Sequence, residues 1–174
     1  KKAKDYQTYV LTSDHDMLQL IDETTSVLLM KKGITDMDVV TPESLKEQMG
    51  IEPLQIIDMK GLMGDKSDNI PGIPGIGEKT ALKLLEEYGT VENVIANEDK
   101  LKGALQKKVM EGHDSALLSK KLATIRRDID VEMNEKELSF TPNYPQLVKF
   151  LQMLEMNTLA RRFSDKIVAD ESTA

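Results

Sequence analysis

A glycine- and proline-rich segment that runs directly into a helical pattern is the feature that most constrains this chain. Residues 69–81 read NIPGIPGIGEKTA and are followed at once by LKLL. Gly75 and Gly77 flank the apolar Ile76, so bare backbone N–H groups can approach an anion closely, next to the positive end of the helix dipole. The pattern predicts a hairpin that binds phosphate. The simpler alternative is an ordinary loop between two helices.

Secondary-structure signals divide the chain into a short α/β part and a longer helical part. Residues 9–12 and 26–30 are β-prone apolar runs compatible with buried parallel strands, and residues 16–21 between them fit only a short helical turn. Thr41 is suited to cap a helix that ends at Gly50. Further helices are predicted at 53–63, 78–88, 91–96, 101–110, 115–124 and 144–155.

Composition limits the class of protein. The chain has 174 residues, which suits one compact domain of ordinary size. It contains no cysteine, so disulfide frameworks and thiolate metal sites are excluded and a reducing compartment is favoured. No apolar run approaches the length of a membrane span, and no secretion signal follows the basic first residues. A cytoplasmic location, with no membrane partner, is the expectation.

Charge is unevenly distributed along the chain. The net charge is −7, yet the stretch from Lys100 to Arg127 carries eight Lys/Arg against two acids. That stretch is therefore +6, and the remainder of the chain carries −13. Such segregation fits a surface that neutralises phosphates, although a solvated helix face is an equally good explanation from charge alone.

Two acidic clusters are candidates for a metal site. Asp14 and Asp16 follow the first predicted strand, where the strand period would put both on one side at the carboxyl end of a sheet. Asp65 and Asp68 lie three residues apart in a turn or helical start. Paired carboxylates repel each other unless a cation such as Mg²⁺ or Mn²⁺ lies between them, and carboxylate-bound metals serve phosphodiester hydrolysis. Helix capping is the structural alternative for both clusters.

Three motifs together resemble the 5′-nuclease domain of bacterial DNA polymerase I. They are TSDHD at 12–16, GDKSDN at 64–69 and PGIPGIGEKTA at 71–81, in the family's order and spacing. Residues 115–128 and 150–156 are similar to the family's closing helices, so the resemblance covers nearly the whole chain. His15 stands where many relatives have lysine.

The resemblance implies an α/β fold with two parts and a tail. Residues 1–52 would be the remnant of a PIN-like nuclease sheet, and residues 53–166 a mainly helical, SAM-fold-like subdomain whose helix-three-turn-helix element grips duplex DNA. Residues 167–174 are expected to form a linker or tail, since they have little to bury. The DNA-binding residues implied are Gly72, Gly75, Ile76, Gly77, Lys79, Thr80, Lys120, Lys121 and Arg126.

The resemblance also implies a cofactor and a reaction. Asp14, Asp16, Asp65 and Asp68 match the carboxylates of one divalent metal position, with Mg²⁺ or Mn²⁺ as the ion, and the carbonyls of residues 70–76 are where a K⁺ would be held. The reaction would be removal of 5′ flaps or primers from flapped or nicked duplex in replication and repair. Because the family's first strand, helical arch and second acidic cluster have no counterpart in this sequence, the chain alone is not expected to cut DNA.

Two other functions fit the same residues. A stand-alone, non-catalytic module would use the hairpin and basic helices to bind duplex, with the acids as remnants. A protein-interaction domain would use the basic stretch to meet an acidic partner. The acidic tail resembles an interdomain linker and favours a polymerase fragment, expected as a monomer, over a stand-alone nuclease.

Overall fold

A computed structural model of the chain describes residues 6–33, 35–132 and 138–171, with side chains as far as residue 166. The chain divides into two compact units, residues 1–128 and 129–174, and each is described separately. The predicted domain boundaries after residues 52 and 166 do not coincide with this division and stay predictions. Within the described residues, no helix combines the length and apolar character needed to cross a bilayer.

The first unit begins with a three-stranded sheet. Strand β1 (Thr8–Thr12) pairs in parallel with β2 (Thr25–Lys32), and β2 pairs antiparallel with β3 (Asp36–Val40). A 3₁₀ helix from His15 to Leu20 connects β1 to β2. The two parallel strands and the short helix between them are as predicted. The third strand is not among the predicted elements, because two aspartates interrupt its apolar pattern.

The sheet buries one face and exposes the other. Val27 and Val40 lie opposite each other on the buried face, at 0 and 4% exposure. On the other face Leu11, Leu28 and Val39 are in register across all three strands, and Leu11 and Val39 are more than half exposed. The buried valines join the core that continues into the helices.

Helices make up the rest of the first unit. Thr41 and Ser44 form a capping box at the start of the first helix, and Gly50 ends it in a left-handed conformation with φ 74°, as the sequence predicts. The helices are α1 (Pro42–Met49), α2 (Gln55–Met63), α3 (Glu78–Tyr88), α4 (Val91–Ala96), α5 (Gly103–Glu111) and α6 (His113–Ala123). Helices α5 and α6 differ from the predicted 101–110 and 115–124 by one or two residues at each end.

Helices α2 and α6 pack closely at Gly61. A Cβ atom at Gly61 would lie 3.0 Å from a Val91 methyl carbon and 3.1 Å from Cβ of Lys120. The absence of a side chain therefore lets the two backbones approach. This packing places α6 beside the segment that follows α2, which contains the second acidic cluster and the hairpin.

A buried glutamine joins the sheet part to the end of α6. The side-chain amide of Gln19 donates to the Ala123 carbonyl at 2.9 Å and accepts from the Ile125 N–H at 2.9 Å. The Arg127 guanidinium also donates to the Gln19 carbonyl, at 2.5 Å. Gln19 is 3% exposed, so these bonds satisfy polar groups that have no access to water. They hold the 3₁₀ helix, and with it Asp16, against α6.

The second unit contains a helical pair. Helix α7 (Tyr144–Met153) and helix α8 (Asn157–Glu171) share a small core of Val148, Leu151 and Ala160. The rings of Tyr144 and Phe163 stack with centroids 6.2 Å apart. Helix α8 is not among the predicted elements, and it continues into residues 167–171 of the predicted tail. Residues 172–174 of that tail lie outside the described residues.

Candidate metal and nucleic-acid site

Three carboxylates from two distant segments meet at one point. Asp16 lies at the start of the 3₁₀ helix, and Asp65 and Asp68 lie in the turn after α2. One oxygen from each lies within 4.8 Å of the other two. The turn is held by reciprocal backbone hydrogen bonds between Asp65 and Ile70, both 2.8 Å. The predicted convergence of the two acidic clusters is therefore present for these three residues.

Asp14 has a different position from the one expected. It caps the 3₁₀ helix, where its carboxylate accepts a hydrogen bond from the Asp16 N–H at 2.9 Å, and it does not belong to the group of three. The strand period does not apply to these acids, because β1 ends at Thr12, Asp14 is the N-cap of the 3₁₀ helix and Asp16 lies within that helix. Capping, the structural alternative, applies to Asp14 in this structure.

A buried lysine lies among the carboxylates. Lys60 of α2 is 6% exposed, and its ammonium donates to Asp16 and, at 2.6 Å, to Asp65. The sequence reasoning missed this residue. The sequence contained a signal, since Lys60 interrupts the mostly apolar run QIIDMKGLM at 55–63, which is predicted to be a helix. Lysine is rarely buried unless it is paired, so its position predicts an acidic partner.

The ion pairs shift the protonation equilibria of the cluster. Burial lowers the pKa of Lys60, but the hydrogen bonds to Asp16 and Asp65 outweigh it, and the net direction is upward. Hydrogen bonds from Lys60 and Ser67 lower the pKa of Asp65 to about 2. Lost solvation and the neighbouring charge of Asp65 raise the pKa of Asp68. The site therefore holds a charged carboxylate and a charged ammonium across the neutral pH range.

The hairpin after the acidic turn is anchored at Gly72. Its φ is +62°, and a Cβ at this position would lie 2.1 Å from the Gly64 nitrogen, so only glycine fits. Two serines of α6 hold both of its backbone groups. Ser119 accepts from the Gly72 N–H at 2.9 Å, and Ser115 donates to the Gly72 carbonyl at 2.5 Å. The predicted binding residue Gly72 is buried, so its backbone groups serve the fold.

The outer part of the hairpin is open. Gly75 and Gly77 are exposed, Gly77 is the N-cap of α3 without a side chain over the first amides, and Lys79 is exposed in the first turn. Thr80 is half-buried, and its N–H donates to the Gly77 carbonyl at 3.0 Å. Ile76, also predicted to bind DNA, belongs to the core at 4% exposure, and its N–H donates to the Ile73 carbonyl. Its apolar side chain and its amide are therefore used internally.

A groove of about 810 Å³ connects the acidic turn to the hairpin. Its lining includes Lys60 and Asp65 of the acidic cluster and Gly75 and Gly77 of the hairpin. The two predicted functional elements thus share one surface depression.

The three basic residues of the predicted DNA-binding set that follow the hairpin differ in exposure and in ion pairing. Lys120 is held within the protein, at 2.6 Å from the buried Asp58 and 2.7 Å from Glu92. Arg126 pairs with Asp128 at 3.1 Å on an exposed surface, and Lys121 is exposed. A fourth cation, Lys108 of α5, donates to the Gly75 carbonyl at 2.8 Å and was not predicted. Of these residues, Lys120 has a clear structural role, which explains why a lysine is needed in α6.

Four carbonyls of the segment expected to hold K⁺ accept hydrogen bonds from the protein. Asp65 N–H donates to the Ile70 carbonyl and Ile76 N–H to the Ile73 carbonyl. The Gly72 and Gly75 carbonyls accept from Ser115 and Lys108. Each carbonyl oxygen has a second lone pair, so the K⁺ position stays a prediction.

The family model described as 5′-3′ exonuclease, C-terminal SAM fold, matches residues 51–146. The chain is similar to DNA polymerase I of Bacillus caldotenax, with 52% identity over 78% of the chain and 16% of that protein. It is also similar to DNA polymerase I of Bacillus subtilis strain 168, with 44% identity over 92% of the chain and 18% of that protein. The chain therefore spans less than a fifth of these relatives' length.

Solved structures share the fold. A T5 5′-exonuclease structure with bound zinc superposes with a TM-score of 0.58, 23% identity and coverage of 68% of this chain and 43% of that one. The catalytic core of Rad2 in complex with DNA substrate also has a TM-score of 0.58, with 15% identity over 88% of this chain and 54% of that one. The match of the family model to more than half of the residues shows that the chain belongs to the 5′-3′ exonuclease C-terminal SAM-fold family.

Proposed function

We propose that the chain is the DNA-gripping part of a structure-specific 5′-3′ exonuclease, or flap endonuclease, that belongs to a DNA polymerase I. The observation that carries this proposal is one groove lined both by Asp65, a member of the group of three carboxylates, and by Gly75 and Gly77 of the open hairpin. One surface depression can therefore hold a DNA backbone at the hairpin while a phosphodiester lies near the acids. Duplex DNA with a 5′ flap or nick is the proposed partner, and the chain acts as a monomer in the cytoplasm.

The hairpin supplies backbone donors for the DNA. Gly75 and Gly77 are exposed and have no side chain, so a phosphate can approach the backbone there. The N-terminus of α3 adds the positive end of the helix dipole. Lys79 provides a side-chain charge in the first turn. Lys121 and Arg126 extend the contact, since both are exposed, whereas Lys120 acts by holding Asp58 and Glu92. Support for DNA as the partner comes from the Rad2 relative, whose structure contains DNA substrate.

The carboxylates supply a divalent metal position. Asp16, Asp65 and Asp68 offer three hard oxygen ligands within 4.8 Å of one another, which suits Mg²⁺ or Mn²⁺. A bound divalent ion activates water and stabilises the leaving oxygen in phosphodiester hydrolysis. The ammonium of Lys60, a residue of α2, offsets the negative charge of Asp16 and Asp65. Asp14 orients Asp16 by accepting a hydrogen bond from its backbone N–H. The zinc-bound T5 5′-exonuclease supports a divalent ion in this fold.

Cleavage itself is proposed for the longer protein. The described residues offer one group of three carboxylates, enough for one metal position. Flap removal is proposed to need a second metal position and a clamp on the single strand, which other residues of a polymerase-length chain would supply. The 174-residue chain is expected to bind duplex without cutting it.

The test is fluorescence anisotropy with a labelled 5′-flap duplex. Lys79→Met should weaken binding and reduce the slope of log Kobs against log [salt] by about one. The matched control is Lys46→Met, since Lys46 is an exposed lysine of α1 that pairs with Glu52 and does not line the groove. Equal binding by the wild type across a salt titration, or equal losses in both variants, would overturn the proposal.

A further inference from the structure

A lysine from α5 reaches the hairpin across 33 residues of sequence. The ammonium of Lys108 donates to the Gly75 carbonyl at 2.8 Å. It lies close enough that a Cβ at Gly75 would be 2.7 Å from it. We infer that Lys108 is a DNA-phosphate-binding residue that places a positive charge at the hairpin.

Lys108 forms no ion pair with a carboxylate among the described residues. Lys60 and Lys120 each pair with two carboxylates, and Lys107 lies 3.7 Å from Glu111. Among the described residues, no carboxylate lies within ion-pair distance of Lys108. An ammonium has three N–H donors, so two remain after the bond to Gly75. A full positive charge with free donors therefore lies at the tip of the hairpin.

The Gly75 carbonyl explains why a cation is needed there. This carbonyl presents the negative end of a peptide dipole at the place where Gly75 and Gly77 leave the backbone open to an anion. A phosphate approaching the hairpin would be repelled by that oxygen. The positive charge of the Lys108 ammonium both offsets the partial negative charge of this oxygen and attracts the phosphate.

The inference rests on the proposed function, because it assigns a residue to the same DNA site. The experiment compares the wild-type chain with Lys108→Met, Lys108→Arg and Lys107→Met, using anisotropy of a labelled 5′-flap duplex over a KCl titration. Lys108→Met should lose affinity several-fold and reduce the salt slope by about one, and Lys108→Arg should restore the slope. Lys107→Met should stay within about twofold of the wild type, since Lys107 already faces Glu111.

The possible outcomes separate the two proposals. If the wild type does not bind duplex, the proposed function fails and this inference fails with it. If the wild type binds and Lys108→Met keeps the full salt slope, Lys108 only pins the hairpin, and the inference alone is overturned. Equal losses in Lys107→Met and Lys108→Met would show a general charge effect and would also overturn it.

Discussion

The Lys60 ammonium and the Asp65 carboxylate form a hydrogen-bonded ion pair at 2.6 Å, with side-chain exposures of 8 and 18%. The lysine comes from α2 and the acid from the turn just beyond it, and Asp16 joins them from the sheet part. One internal cation thus balances carboxylates from two segments. A metal ion bound there would share those carboxylates with Lys60, so metal affinity and the stability of the fold are linked.

Removal of Lys60 should make stability depend on metal. In EDTA, Lys60→Met leaves the half-buried Asp16 and Asp65 without their cation, and the free energy of unfolding should fall by about 2–4 kcal/mol. Added Mg²⁺ or Mn²⁺ should stabilise the variant more than the wild type, because the ion binds only the folded state and no ammonium competes with it. Thermal unfolding with and without metal measures both effects. Lys66→Met, at an exposed lysine of the same turn, is the control and should behave as the wild type does.

Acid should weaken the fold through Asp65. Its pKa is about 2 in the folded chain against an ordinary 3.8, so the unfolded state takes up protons first as pH falls. The contribution, about 2 kcal/mol, is complete above pH 4 and is lost as pH falls toward 2. Denaturant unfolding at stepped pH measures it. In Asp65→Asn the loss over this window should shrink by that amount, and an unchanged acid profile would contradict the assigned ion pair.

Two hairpin glycines should respond to substitution in opposite ways. Gly72→Ala should destabilise the fold severely, because its Cβ would lie 2.1 Å from the Gly64 backbone and its φ is +62°. Gly77→Val should fold normally, since Gly77 has an extended φ of −106° and a Cβ there would meet no atom of the described residues within 4 Å. The new side chain should instead obstruct the phosphate and weaken duplex binding. Circular dichroism melting and anisotropy, run on both variants, separate the two effects, and normal binding by Gly77→Val would make the hairpin an ordinary loop.

Substitution of a metal-binding aspartate should reduce DNA cleavage but not duplex binding. Asp68→Asn removes negative charge beside the groove, so duplex binding should hold or improve. In a polymerase-length parent carrying the same change, flap cleavage should fall by about 10²-fold or more, because a metal ligand is lost. Anisotropy and a gel cleavage assay on each variant measure the two quantities. Asp14→Asn is the comparison: if its carboxylate only caps the 3₁₀ helix, cleavage should fall less than in Asp68→Asn, since Asn also caps well.

Local signals were enough to predict most helices but not the third strand or α8. Thr41 caps the start of α1 and Gly50 ends it through contacts with residues only a few positions away, so the bounds of α1 follow from the sequence. Strand β3 is specified by pairing with β2, which supplies Val27 opposite Val40, and its own pattern is broken by aspartates. Helix α8 begins with polar Asn157 and carries many charges, so its helical character is weak in a short window.

The sequence predicts which segments form the candidate site, but not which side chains contact each other there. The motifs around Asp16, Asp65 and Gly75 identified the segments. Lys60 and Lys108 were missed because each reaches its partners only through packing, Lys60 from α2 to Asp16 and Lys108 from α5 to Gly75. Lys120 was assigned to DNA from the family resemblance. Its partner Asp58 is 62 residues away in sequence, and only the α2–α6 packing brings the two together.

Gln19 has a consequence for the order of folding. Its side chain bonds to residues 104 and 106 positions later, so this anchor of the 3₁₀ helix that carries Asp16 forms only after α6 has formed and docked. Closing a loop of that length is slow compared with forming the hairpin and its neighbouring helices. The hairpin is therefore expected to be complete before the carboxylates converge. In a refolding experiment, metal-induced quenching of a probe near Asp16 should appear with the slowest phase, which makes the acidic site a late marker of native structure.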